Sequence, residues 1–174
     1  MTQILSGLGR FHPRGERDSQ IWSRICAFVV AEPRAFSRDA SIGGHITASA
    51  FVLSTDKSAV LLTHHKKLGL WLQLGGHCDG IADTGFVALK EAYEESGLIR
   101  IARVRDEILD VDIHDIPARK DEPAHLHYDV RFLFQAEAGE ITGSDESHAL
   151  AWVPLSNLES YTTEASILRM RDRV

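Results

Sequence analysis

The stretch from Leu74 to Leu98, LGGHCDGIADTGFVALKEAYEESGL, constrains this chain more than any other. Its second half reads as a helix that begins at Asp83 or Thr84, whose side-chain oxygens can accept from the free N–H groups of a first turn. It stops at Gly97, a residue suited to the left-handed position that closes a helix. Glu91, Glu94 and Glu95 stand at i, i+3 and i+4 and so share one helix face. They occupy the last two turns, where the negative end of the macrodipole disfavours carboxylates. Lys90 beside them supplies one positive charge against three negative ones. On a solvated helix such a pair costs only about 0.2–0.5 kcal/mol. In a cleft of effective dielectric about 20, two carboxylates ~5 Å apart repel by about 3 kcal/mol, and a divalent cation with oxygen ligands would then keep both ionised. Charge alone leaves a solvated acidic face and a metal site both open.

Spacing separates the two. The stretch resembles the signature of the Nudix hydrolases, Gly-x5-Glu-x7-Arg-Glu-U-x-Glu-Glu-x-Gly-U, in which U is a bulky aliphatic residue. Gly76, Glu91, Glu94, Glu95, Gly97 and Leu98 match it in register. Ala82 replaces the first glutamate, Lys90 the arginine, and Ala92 stands at the first aliphatic position. Trp71 to Gly76 is similar to the strand and Gly–Gly turn that lead into this helix in the family.

The rest of the chain is consistent with one domain plus an arm. Its 174 residues suffice for a single core, and 44% hydrophobic with 25% charged residues is ordinary globular composition. The net charge of −6 argues against broad nucleic-acid binding, whereas a metal-chelated polyphosphate stays compatible because the metal reverses the local sign. Two cysteines, Cys26 and Cys78, make no disulfide framework or zinc ribbon. Without a long apolar run or a leader-like segment, the expectation is a cytoplasmic protein with no membrane partner. Residues 1–43 read as a helical arm packed on a core domain at 44–174. In the arm, Ile21, Ile25, Phe28 and Val29 recur at helical spacing from about Asp18 to Glu32, ahead of Pro33. The arm is also open to a homodimer contact. Ser41 to His45 reads as a turn-rich link.

Strands are expected at Ile46–Leu53 and Ala59–His64, joined by the Thr55–Ser58 turn, and at Leu70–Leu74. After the acidic helix, Leu109, Val111 and Ile113 alternate with polar residues. In His125–Phe134, Leu126, Tyr128, Val130 and Phe132 face one way, and His125, His127, Asp129 and Arg131 the other. A strand at Ala149–Val153 and a helix at Ser166–Arg173 close the chain. This order predicts an α/β fold, a mixed sheet sandwiched between helices. The resemblance, which spans roughly residues 44–160, implies the same architecture, the Nudix fold.

The resemblance further implies a hydrolase that cleaves a diphosphate linkage in a nucleoside diphosphate linked to another moiety, or a related small diphosphate, with Mg²⁺ or Mn²⁺. It implies Glu91 and Glu95 as metal ligands, joined by Glu94 and by the main-chain carbonyl of Gly75. Glu94, Glu95 and Glu146 are then the catalytic candidates, Glu146 because it precedes Trp152 by six residues in a late loop. His127, Lys67 (with Lys66 beside it) and Arg131 are candidate substrate contacts, Arg131 because its planar fork matches phosphate. With Ala82 vacant, Asp83 is expected to support the metal site or else to cap the helix. His125-x-His127, with His64, His65 and His77, allows a rival zinc reading, which would need three or four such ligands in tetrahedral array. Two further alternatives stand: a degenerate module that binds a nucleotide without turnover, suggested by Ala82 and Lys90, and an isopentenyl diphosphate isomerase, suggested by Cys78.

Overall fold

The computed structural model describes residues 5–66, 68–120, 122–143 and 147–174. Helix α1 (Glu16–Ala31) is followed by strands β1 (Gly44–Leu53), β2 (Ala59–His65), β3 (Trp71–Leu72) and β4 (Leu74–His77). Helix α2 (Thr84–Ser96) comes next, then β5 (Arg100–Arg103), β6 (Asp110–Ile116), β7 (His125–Ala138) and β8 (Ser147–Pro154). A 3₁₀ helix at Leu155–Ser160 and helix α3 (Ala165–Arg171) complete the described chain. No helix among the described residues is long and apolar enough to cross a membrane.

All eight strands join one sheet around a central parallel pair, β1 and β7. β1 pairs antiparallel with β4 through its first half and meets β2 at its far end, where Leu53 faces Val60. The long β7 is shared in the same way, by β6 along its first half and β5 along its second. A branched, mixed sheet results, with a different neighbour at each end of its two central strands.

Alternation along β1 assigns the two faces. Ile46, Ala48, Ala50 and Val52 enter a core with Val87, Ala88 and Ala92 of α2, Ile25 and Val29 of α1, and Leu8 and Phe11 of the leading segment. Phe28 of α1 stacks on Tyr128 with ring centres 4.3 Å apart. On the opposite face Phe51 and Leu53 pack with Leu133, Val153, Leu158 of the 3₁₀ helix, and Ile167 and Met170 of α3. Each fully buried side chain of the Phe51 or Phe132 kind contributes about 1.5–3 kcal/mol relative to exposure. Helices thus cover both faces of the sheet, the α/β sandwich expected from the element order.

Two local departures bear on the site. Gly75 and Gly76 do not turn the chain; they lie within β4, paired with Ser49 and Ala48 of β1. A Cβ on Gly75, whose φ is +155°, would sit 2.5 Å from Ser49 Oγ, so the close approach of the two strands itself requires glycine. The turn follows at Asp79 and Gly80, both with positive φ. Gly44 and His45, expected in a link, already belong to β1.

Candidate active site and an adjoining histidine cluster

Helix α2 begins and ends where its sequence dictates. The Asp83 carboxylate accepts from the Phe86 N–H at 2.9 Å, and Gly97 closes the helix at φ 73°. Asp83 is therefore the N-cap, and that oxygen is committed to the helix end. Beside it, the backbone of Ala82 lies against Gly7, where a Cβ would approach Ala82 O to 2.5 Å.

At the other end of α2, the Glu91 carboxylate lies directly over Gly76, and a Cβ there would meet its carboxyl carbon at 2.6 Å. Lys90 donates to Glu91 at 3.1 Å and to Glu94 at 2.7 Å. The Glu94 bond first, and Glu91 after it, raise the lysine above its ordinary value, so the ammonium persists as the local counter-charge. Glu94 is the most solvent-facing of the pair, with 58% of its side chain exposed against 16% for Glu91. Glu95 is half-buried one helical turn beyond Glu91. The Glu91 carboxylate thus faces the glycine backbone of β4, and carboxylate oxygen is the donor type that a hard divalent ion takes. A solvent-open cavity of about 550 Å³, lined by Asp56, Leu98, Ala136 and Trp152 among others, lies past the C-terminal end of α2 and away from Gly76.

The candidate phosphate contacts fare differently. Arg131 is 0% exposed. Its Nε donates to Asp129 at 2.7 Å and its Nη1 to Asp110 at 2.9 Å, while Nη2 lies 2.7 Å from His114 Nε2. Arg169 and Arg173 complete this cluster on Asp110, and Thr47 and Ser49 donate to Asp129. The alternation that put Arg131 on a polar strand face is right, but that face is covered by the C-terminal helix. Its fork is taken up by Asp129, Asp110 and His114, so the expected phosphate contact is replaced by a structural ion network. Lys66 is exposed; Lys67 and Glu146 lie outside the described residues. Cys78 is 1% exposed, and burial pushes its thiol up to about 12, with the nearby carboxylates adding to the shift. A thiol so held is a poor acid or nucleophile, which removes the ground for the isomerase alternative.

His127 belongs to a group that the sequence shows only in part. His45 on β1 is directly opposite His127 on β7, and His77 on β4 pairs across β1 with Thr47, two residues along. Among the described residues, His45, His77 and His127 are the one set of His, Cys, Asp or Glu side chains placed to hold a metal ion, with ligand atoms within 4.8 Å of one another. His125 adjoins them, its ring centre 4.9 Å from that of His45 and 5.2 Å from that of His127. His64 instead stacks on Trp71. Both ring nitrogens of His45 are buried without a hydrogen-bond partner, as is Nε2 of His125. Leaving such groups unpaired costs roughly 1–3 kcal/mol each. Burial first, and then the neighbouring imidazoles, push His45 down to about 4 and His127 to about 3. His77 is lowered by burial and by Arg38.

A family profile for the Nudix domain matches residues 43–171. The chain belongs to the Nudix family. A Nudix-family hydrolase from Clostridium perfringens superposes with a TM-score of 0.57 at 25% identity, covering 74% of this chain and 95% of that one. A MutT Nudix hydrolase from Burkholderia pseudomallei gives 0.53 at 26%, covering 75% and 98%. An ADP-ribose pyrophosphatase from Streptococcus suis shares the fold, with a TM-score of 0.51 at 21% identity over 73% and 89%. No curated protein matches the sequence. As a Nudix enzyme the chain is a pyrophosphohydrolase, in a family that generally needs a divalent metal.

Proposed function

We propose that this Nudix enzyme hydrolyses a diphosphate linkage in a nucleoside diphosphate joined to another group, or in a related small diphosphate, with Mg²⁺ or Mn²⁺ held by α2. The observation that carries this reading is the Glu91 carboxylate lying against Gly76, in a space that any Cβ would close. Glu91, Glu95 and the Gly75 carbonyl are the residues that would hold the ion. Bound there, it would neutralise phosphate charge and lower the pKa of attacking water. Glu94, exposed and paired with Lys90, would accept the proton of that water. Most of the rate in phosphoryl transfer comes from positioning and charge neutralisation, so a rigid helix face anchored at both ends is a suitable platform.

The bridge from Lys90 to Glu91 and Glu94 favours a second reading, a module that binds a nucleotide without turnover, because an ammonium there competes with a cation for the same oxygens. Released phosphate from a panel of nucleotides, nucleotide sugars, ADP-ribose and dinucleotide polyphosphates, with Mg²⁺ or Mn²⁺, separates the two. Turnover of at least one member supports the hydrolase; saturable binding of a member that releases no product counts toward the second reading.

A further inference from the structure

We propose that His45, His77 and His127 form a second metal site that takes a zinc-class transition-metal ion, with His125 Nε2 as its fourth ligand. Neighbouring residues of β4 face opposite ways: Gly76 lies under Glu91 of α2, and His77 turns to the other side of the sheet. The imidazoles therefore gather on the face away from α2, across the three adjacent strands β4, β1 and β7.

The separations fit one ion. A tetrahedral site with metal–nitrogen bonds of about 2.0–2.1 Å sets its imidazole ring centres about 5 Å apart. Here the centres of His45 are 4.9, 4.6 and 4.9 Å from those of His77, His127 and His125. The centres of His77 and His125 are each 5.2 Å from that of His127. Tetrahedral bonding brings ligand nitrogens to about 3.4 Å of one another; those of His45, His77 and His127 lie within 4.8 Å, so binding an ion requires these rings to rotate inward and His125 to turn in with them.

The chemistry fits as well. His125 Nδ1 lies 2.9 Å from the Pro123 carbonyl, which can only accept, so Nδ1 carries the proton and Nε2 presents its lone pair. That backbone partner is what fixes the tautomer of a metal-ligating histidine. Glu122, with an oxygen 3.8 Å from His125 Nε2, supplies a carboxylate to offset the ion's charge. Four imidazoles without an oxygen donor suit zinc or cobalt and not magnesium. A site closed by four protein ligands is structural, and this one would tie the early ends of β1 and β7 to the strand that carries Gly75 and Gly76.

The test uses the full chain stripped by chelator and titrated with Co²⁺ and with Zn²⁺ alone. One Zn²⁺ per chain is expected, together with the intense visible absorption of tetrahedral Co²⁺ and a rise in Tm at saturation. His77→Gln and His127→Asn should each weaken Zn²⁺ binding at least a hundredfold with unchanged far-UV circular dichroism. Glu91→Gln should keep the Co²⁺ spectrum. Absence of Zn²⁺ uptake by the unmodified chain, or uptake lost in Glu91→Gln but retained in both histidine variants, would overturn the proposal. If one histidine variant does not fold, the other and the Co²⁺ spectrum of the unmodified chain still decide. Since no substrate is involved, failure here is separate from failure of the hydrolase reading.

Discussion

Replacing Arg131 with alanine should unfold this protein before it affects substrate binding. The guanidinium is 0% exposed and ion-pairs with Asp110 and Asp129. Without it Asp110 keeps Arg169 and Arg173, but Asp129 keeps the hydroxyls of Thr47 and Ser49 and no salt bridge among the described residues. Removing one partner of a buried pair costs about 3–5 kcal/mol. At roughly 2–4 °C per kcal/mol for a domain of this size, Tm should fall by about 6–20 °C. Burial alone would raise Asp129, but the Arg131 charge, His114 and its hydrogen bonds outweigh it and hold the carboxyl below 3.8. Its contribution is therefore present above the unfolded value and lost as pH falls through the lower folded one. In Arg131→Ala that depression goes, so the gap in Tm between the two proteins should narrow below about pH 4. Thermal melts from pH 7.5 to pH 3.5 read both effects. An unchanged Tm with a tenfold rise in KM would refute the structural role and restore Arg131 as a phosphate contact.

Three other perturbations have defined outcomes. Metal-free protein should lose stability as pH falls from 6.5 toward 4, because His45 and His127, at about 4 and about 3, stay neutral when folded while the unfolded chain takes up protons; a Tm that is flat between pH 7.5 and 5 would contradict this. Gly76→Ala should displace the flexible end of Glu91 and cut turnover at least tenfold, while Tm shifts by less than about 4 °C, the scale of 1 kcal/mol; activity assays beside melts separate the two effects. Asp83→Ala should remove the N-cap and lower stability by about 0.5–2 kcal/mol in denaturant titrations, whereas Asp83→Asn should leave it nearly unchanged.

Much of this was legible locally. The cap at Asp83, the stop at Gly97 and the shared face of Glu91, Glu94 and Glu95 follow from helix geometry alone, and the alternation in β7 correctly set His127, Asp129 and Arg131 on one side. What covers a face is not a local property. Arg131 is buried in a network that Arg169 of α3, 38 residues further along the chain, joins through Asp110. The glycine pair reads as a turn because glycine favours turns, yet here it serves the close passage of β1, a long-range contact. His45 was missed for the same reason. The residues from Ser41 to Gly44 signal a link, and only the parallel pairing of β1 with β7 brings His45 opposite His127. A period of two through His45, Thr47 and Ser49 was the one available hint.

The most direct test of the proposed chemistry is kcat/KM for the best substrate of the panel, measured against Mg²⁺ and Mn²⁺ concentration for the unmodified chain and Glu95→Gln. The glutamine keeps the shape and removes the charge. The proposal predicts turnover that saturates with metal and falls by roughly 10²-fold or more in the variant, the scale of a lost electrostatic contact. Equal rates for the two proteins, or full turnover in chelator, would contradict it.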